Sequence, residues 1–288
     1  MSKIWVVGGN GQLGKELKLL SEKDKKNEYL FSDLPDFDIQ DDKQIAKISK
    51  EFVPEIVINA AAYTNVDLAE EEPDKAFAIN ASAVGKLAEI CSKQKAFLIH
   101  ISTDFVFDGK RSRPYNENIS ACPGGTYASS KYKGEVEVLL NTKHAAIIRT
   151  SWLYSNHGHN FMKTIIQKGS KGNELKVVFD QCGTPTWAAD LAEVCLRMAE
   201  NKSKIKCVEL FHYSNEGVAS WYDFAWEILT IAGEKPNIVP VGTEEFPRPA
   251  PRPAYSVMDK KKIREFLGIS IPHWKESLAK CIKLEKRK

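Results

Sequence analysis

The chain has six cysteines, Cys91, Cys122, Cys182, Cys195, Cys207 and Cys281, and no two of them form a Cys-x-x-Cys pair. That spacing excludes the common zinc ribbons and knuckles, and it suits no disulfide framework in so long a chain. Free thiols in a reducing compartment are expected. No apolar run approaches the roughly 20 residues needed to cross a bilayer, and no charged-then-apolar leader precedes the first strand. The expected location is therefore the cytoplasm, without membrane association. An excess of one charge sign is also missing. The 41 basic residues are balanced by 38 acidic ones, for a net charge of +3, which gives no electrostatic footprint for a nucleic-acid partner. The basic run Lys283, Lys286, Arg287 and Lys288 reads as a solvated helix end. Repeats and low-complexity segments are absent. What remains is ordinary: 288 residues, 43% hydrophobic and 27% charged, enough for one large α/β domain or a large and a small one.

The chain opens with a continuous apolar strand, Lys3-Ile-Trp-Val-Val7, then Gly8-Gly-Asn-Gly11-Gln-Leu-Gly14, then a helical stretch over 15–20. Glycines three apart permit a tight turn, close approach of backbone to a phosphate, and close packing of helix on strand. The helix N-terminus offers free N–H groups and the positive end of its dipole to a pyrophosphate. Gly8, Asn10, Gly11, Gln12 and Leu13 are accordingly candidate dinucleotide contacts, and the null for them is a tight structural turn. A second strand over 28–32 ends at Asp33, about 20 positions past the glycines, where an acidic residue holds the adenosine ribose 2′-OH. No arginine lies between Asp33 and Lys43 to meet a 2′-phosphate, so the cofactor leans to NADH over NADPH. Asp38 and Ile39 fall where an adenine edge is met, although turn capping explains Asp38 as well. The third strand, 54–59, ends in Ala60-Ala61-Ala62, small enough for a ring or ribose to lie on the backbone, and Tyr63 and Thr64 open the following loop. A helix over 76–90 carries Asn80 inside it. Asparagine is disfavoured there, so Asn80 is expected to hold a backbone group or water near the site.

The richest stretch is 100–135. An apolar strand over 97–101 ends at Ser102-Thr103-Asp104, a polar loop follows, and Tyr127-Ala-Ser-Ser-Lys131 opens a helical pattern running to Leu140. Positions i and i+4 share a helix face, so Tyr127 and Lys131 are expected side by side. The ammonium would lower the phenol's pKa toward working pH and make it a proton donor to a carbonyl. Thr103, at a strand's C-terminal end, would bond the same carbonyl. The plain alternative is that Tyr-x-x-x-Lys is a common surface pattern.

A fifth strand over 145–149 leads to Trp152. Strands alternating with helices predict an α/β fold, a Rossmann-type doubly wound parallel sheet, with a smaller C-terminal substrate-binding domain. The expected division is 1–155 plus a return segment at about 184–213 for the first domain, and 156–183 with 214–288 for the second. His157 and His159 lack a third ligand, so no metal site is expected there. A proline-rich loop over 247–253 holds Arg248 and Arg252. An arginine fork can take a phosphate bidentately, and Arg252 is the stronger candidate.

Taken together, His100-Ile-Ser-Thr-Asp-Phe-Val-Phe-Asp-Gly109, Tyr127 to Glu135, Arg149-Thr-Ser-Trp-Leu-Tyr154, Asn160-Phe161, Asp180-Gln181, Gly183-Thr-Pro-Thr186 and Arg252-Pro253 resemble the dTDP-4-dehydrorhamnose reductase family of extended short-chain dehydrogenases/reductases. The resemblance implies NADH- or NADPH-dependent reduction of the 4-keto group of dTDP-4-dehydro-L-rhamnose, by a monomer or homodimer. It implies Thr103, Tyr127 and Lys131 as the catalytic set, and Thr64, Val66, Asp104, Phe105, Trp152 and Arg252 on the dTDP-sugar side. The sequence departs from the family at Phe105, where tyrosine is usual, and at Pro123-Gly-Gly-Thr126 before Tyr127. Some members bind magnesium through glutamates. Glu16 matches one such position, but Ala189 stands where a second is expected, so the metal is not carried over. Other readings are a reductase or epimerase for a different nucleotide sugar, and a non-catalytic subunit like the regulatory beta subunit of methionine adenosyltransferase. Retention of Thr103, Tyr127 and Lys131 argues against the last.

Overall fold

The computed structural model describes residues 1–172 and 174–286; Arg287 and Lys288 of the basic tail lie outside them. Strand β1 (Lys3–Val7) runs through the glycine turn into α1 (Gln12–Ser21), then β2 (Glu28–Ser32), α2 (Asp42–Phe52) and β3 (Ile56–Asn59). The stretch expected as one helix over 76–90 is instead α3 (Pro73–Phe77), a π-helical turn over 78–82, and α4 (Ala83–Gln94). One continuous apolar stripe hid the extra residue, because a π turn shifts the phase without breaking the hydrophobic pattern. Next come β4 (Phe97–Thr103), α5 (Thr126–Asn141), β5 (Ala145–Thr150), β6 (Leu153–Tyr154), α6 (Phe161–Gly169), β7 (Leu175–Val178), β8 (Cys182–Gly183), β9 (Thr186–Trp187) and α7 (Ala188–Glu200). The chain closes with β10 (Val208–His212), β11 (Ala219–Ser220), α8 (Trp221–Ala232), β12 (Ile238–Val241), α9 (Lys261–Leu267) and α10 (Trp274–Glu285).

The main sheet has the order β10-β5-β4-β3-β1-β2, and every pairing in it is parallel. Alternate strand residues feed two cores. Ile4, Val6, Ile58, Ile99 and Ile148 meet Leu13 and Leu17 of α1 and Leu191 and Met198 of α7 on one face. Trp5, Val57, Leu98 and Ile147 meet Ile45 of α2, Leu87 of α4 and Val138 of α5 on the other. Both faces are covered, which is why the strands are apolar throughout rather than alternating. Truncating one such interior aliphatic to alanine costs about 2–5 kcal/mol. The direction of winding reverses between β1 and β3, and the crevice outside the strand ends at that point is where open α/β sheets take ligands.

A third core, with Met162, Phe224, Leu229, Trp274 and Leu278 among its members, joins α6, α8 and α10. Helix α8 starts on a closed capping box: Ser220 accepts from the Asp223 amide, and Asp223 accepts in return from the Ser220 amide. This layer is tied to the first helix of the sheet by two side-chain bonds. Asn160 donates to Gln12 Oε1 at 2.9 Å, and Ser155 donates to the buried Glu16 at 2.8 Å.

Candidate active site

A cleft of 740 Å³ lies along the carboxyl ends of β1, β3, β4 and β5, between the sheet and α8. Gly8, Asn10, Gly11, Gln12, Leu13, Asp33, Asp38, Ile39, Ala60, Ala61 and Ala62 line one end of it. Gly8 has φ +89°, and a Cβ there would stand 2.6 Å from the Ala61 amide nitrogen. Gly14 is closer still: its Cβ would meet the Gly8 carbonyl oxygen at 2.2 Å. Only glycine lets α1 begin so near the turn. The helix has no side-chain cap at Gly11 and no acidic residue in its first turn, so its free amides are left for an anion. This cradle fits a dinucleotide pyrophosphate. Asp33 accepts from the amides of Asn10 and Leu34, each at 2.8 Å, which fixes the carboxylate at the mouth of the cleft. Asp38 accepts from the Gln40 amide at 2.9 Å, the turn chemistry anticipated for it, while also lining the cleft.

Two expected contacts do not reach the cleft. Tyr63 turns its phenol away to Glu72 at 2.8 Å. Asn80 is fully buried behind it, accepting from the Tyr63 amide at 2.9 Å and donating to the Tyr63 carbonyl and to Ser130 Oγ at 3.1 and 3.0 Å. Asn80 therefore holds the loop after β3 against α5 and does not itself touch the cleft. It sits within the π-helical turn over 78–82.

Midway along the cleft stand Thr103, Tyr127 and Lys131. Thr103 ends β4, in register with Thr150 of β5. Its hydroxyl accepts from the Phe105 amide and donates to Asp104, both at 3.2 Å. The phenol of Tyr127 packs edge-on to Phe105, with ring centroids 5.6 Å apart and 82° between planes. The structure gives a shift in the direction opposite to the expected lowering of its pKa. Burial pushes the phenol up to about 12, and the nearby Asp104 adds to this against a hydrogen bond with Thr103. The Lys131 ammonium donates to the Ile101 carbonyl at 2.6 Å. A helical i,i+4 spacing brings two Cα atoms to one face but does not choose the lysine's rotamer, and a buried ammonium takes the nearest carbonyl. Burial pulls Lys131 down to about 8, with Glu135 opposing. Burial also raises the Asp104 carboxyl to about 7, against hydrogen bonds from Ser256 and Thr103.

Behind this set Glu135 receives a bidentate ion pair from Arg149 at 2.8 and 2.7 Å and a bond from Ser102 at 2.5 Å, all of it buried. It pins α5 to the strand positions just below Thr103 and Thr150. Sequence reading quoted Glu135 and Arg149 without giving them a role; their burial as a pair needs the register of β4 on β5.

The far end of the cleft is lined by Thr64, Val66, Asp104, Phe105, Trp152 and Arg252. Trp152 has φ +47°, a left-handed backbone uncommon for a bulky residue, and its ring stacks on Trp221 at 3.6 Å with 8° between planes. Trp221, with Phe161 packed on its other side at 4.7 Å, was missed by sequence reading, because it looks like the first residue of an ordinary amphipathic helix. Arg252 bonds the Ala250 carbonyl at 2.7 Å and pairs with Asp67 at 2.9 Å. Arg248 is exposed, lies over Phe246 and sits 3.8 Å from the same Asp67, but it is not in the cleft lining. Among the described residues, Lys131 and Arg252 are the two Lys or Arg side chains in the cleft lining.

A parallel sheet with its glycine turn at the switch point, and a Thr–Tyr–Lys set on one wall, define a Rossmann-type protein of the extended short-chain dehydrogenase/reductase class. Residues 2–287 match the family described as RmlD substrate binding domain, and the chain belongs to that family. It is 39% identical over 278 residues to the spore coat polysaccharide biosynthesis protein SpsK of Bacillus subtilis, covering 96% of each chain. Among solved structures, a dTDP-4-dehydrorhamnose reductase of Clostridium acetobutylicum is 41% identical with a TM-score of 0.93, covering 99% of each chain. A dTDP-4-dehydrorhamnose reductase of Bacillus anthracis, in complex with NADP, is 37% identical with a TM-score of 0.93, covering 98% of this chain and 99% of that one. No helix among the described residues is long and apolar enough to cross a membrane.

Proposed function

We propose that the protein reduces the 4-keto group of dTDP-4-dehydro-L-rhamnose to give dTDP-L-rhamnose, using a reduced nicotinamide cofactor. The observation that carries this reading is the meeting of Thr103, Tyr127 and Lys131 in one cleft with a glycine cradle at one end and Arg252 at the other. The names of the full-length relatives support the same substrate.

When bound, the cofactor supplies a hydride to the keto carbon. Gly8 to Leu13 would hold its pyrophosphate on the free amides of α1, and Ala60 to Ala62 would carry the flat and ribose parts. Tyr127 gives its proton to the carbonyl oxygen as that oxygen becomes an alkoxide, an interaction realised only in the transition state. Thr103 bonds the same oxygen and orients it. Lys131, leaving the Ile101 carbonyl or sharing with it, bonds ribose hydroxyls and lowers the cost of charge on the phenol. The high pKa of the phenol, set mainly by its burial, keeps its proton available for transfer. Trp152, stacked on Trp221, gives the sugar a flat apolar wall, and Thr64, Val66, Asp104 and Phe105 close the seat. Arg252 takes the diphosphate. Residues 1–155 with about 184–213 would form the cofactor-binding domain, and 156–183 with the segment from 214 on the substrate-binding domain, except that Ile263 of α9 and Ile271 pack in the sheet core, so 263–271 goes with the first domain.

Asp33 faces the adenosine end, and no Lys or Arg among the described residues lines the cleft there. A carboxylate accepts from a ribose 2′-OH and repels a 2′-phosphate, so NADH is the better substrate of the two. Steady-state rates with each cofactor and the keto-sugar test both readings. Turnover with a higher kcat/KM for NADH supports them, preference for NADPH overturns the role of Asp33, and no turnover with either overturns the function.

A further inference from the structure

The helix that carries Tyr127 and Lys131 begins without a cap of its own. Its N-cap residue is Gly125, which has no side chain to offer, and no acidic residue stands in its first turn. The missing acceptor comes from elsewhere in the chain. Glu70, in the loop after β3, accepts from the Thr126 amide at 2.7 Å and from the Thr126 hydroxyl at 2.9 Å. Gly125 leaves room for that carboxylate: a Cβ there would lie 2.7 Å from Glu70 Oε1 and 3.0 Å from Pro251, and its φ of +84° is itself a glycine conformation. The unusual residues before Tyr127 thus have a physical reason.

We propose that Glu70 is a positioning residue for the reaction: its carboxylate replaces the absent N-cap of α5 and sets where the Tyr127 phenol stands relative to Thr103. The same short loop carries Thr64 and Val66, which line the substrate end of the cleft, and Asp67, which holds Arg252 at 2.9 Å. The seat of the sugar nucleotide and the first turn of the catalytic helix are therefore joined through a few residues of backbone. The inference rests on the reductase reading above.

The test compares Glu70→Ala and Glu70→Gln in the full-length protein, each with native Tyr127 and with Tyr127→Phe. Turnover is measured with dTDP-4-dehydro-L-rhamnose and NADH, and hydrogen exchange is followed at the first-turn amides of α5. Loss of a cap should speed exchange at Thr126 about tenfold and lower kcat about tenfold, with cofactor KM unmoved. Glu70→Gln should recover most of the rate, because an amide oxygen still accepts from Thr126. In the Tyr127→Phe background the alanine change should cost less than about twofold, since residues acting through one another are not additive. An unchanged kcat, an equal loss in both backgrounds, or unaltered exchange overturns the proposal. If Glu70→Ala does not fold, Thr126→Val, which deletes only the hydroxyl half of the clamp, carries the same comparison. A native enzyme inactive on the sugar would defeat the functional reading, while the exchange measurement would still decide whether Glu70 caps α5.

Discussion

Replacing Arg252 with alanine tests the substrate end of the cleft. The guanidinium is largely buried, with 19% of its side-chain surface exposed, and it spends one donor on the Ala250 carbonyl and another on Asp67. Its remaining donors are available to a diphosphate. Hydrogen bonds to charged groups contribute about 1.5–3 kcal/mol, on the order of ten- to a hundredfold in affinity. Removing the arginine leaves Asp67, 27% exposed, with Arg248 at 3.8 Å and the Ala250 amide at 3.4 Å as its partners, so the loss is that of the arginine's own bonds. Steady-state kinetics should show the KM for the dTDP-sugar raised roughly ten- to a hundredfold, with cofactor KM unchanged. Arg252→Lys should recover only part, because lysine keeps the charge but not the fork. Asp67→Asn should leave substrate KM equal or lower, because it releases the arginine from its present partner. A substrate KM within about twofold of native in Arg252→Ala, less than 0.5 kcal/mol, would place the diphosphate elsewhere.

Lys131→Met should weaken NADH binding and flatten its pH dependence: the native ammonium, pulled to about 8 by burial, loses its charge as pH rises through that value, so native affinity should fall across it. A native enzyme whose cofactor titration is flat to about pH 9, about one unit past that value, would contradict the role. Asp104 has its folded pKa raised from 3.8 to about 7. Between those values the folded chain holds more protons than the unfolded one, so this group's contribution to stability falls as pH rises through the window. Asp104→Asn should therefore gain in melting temperature relative to native from pH 4 to pH 8, and a constant gap would refute the burial argument. Gly14→Ala should cost about 1–3 kcal/mol as an overpacked contact and loosen cofactor binding, because the added methyl meets fixed backbone; calorimetry showing native stability would mean that the turn yields.

The parts legible in the sequence were those written in local periodicity. The β1–glycine turn–α1 unit, the helix from Tyr127 and the return of β10 to the sheet each rest on a pattern within a few residues. Most of the site residues that sequence reading placed in the cleft stand at strand ends or in the turns just after them, with Gln12 and Leu13 on α1 and Tyr127 and Lys131 on α5, and a doubly wound sheet collects its strand ends in one crevice. What could not be read depends on side-chain direction or on distant segments meeting. Lys131 shares a helix face with Tyr127 but bonds Ile101. Tyr63 follows the alanines yet points to Glu72. Trp221 meets Trp152 across 69 positions, and Glu70 meets Thr126 across 56. The π turn at Asn80 left no trace in the hydrophobic pattern.

The central claim is that one phenol in this cleft delivers the proton when the 4-keto group is reduced. The most direct measurement is single-turnover oxidation of bound NADH on mixing with dTDP-4-dehydro-L-rhamnose, for native protein and for Tyr127→Phe, with the sugar product identified. Native protein should oxidise its one equivalent of bound NADH and form one equivalent of dTDP-L-rhamnose from the keto-sugar. Tyr127→Phe should bind NADH as before and react slower by about three orders of magnitude, roughly 4 kcal/mol of transition-state stabilisation. A Tyr127→Phe enzyme within about threefold of native, under 1 kcal/mol, or a native enzyme that leaves the keto group intact, would contradict the account.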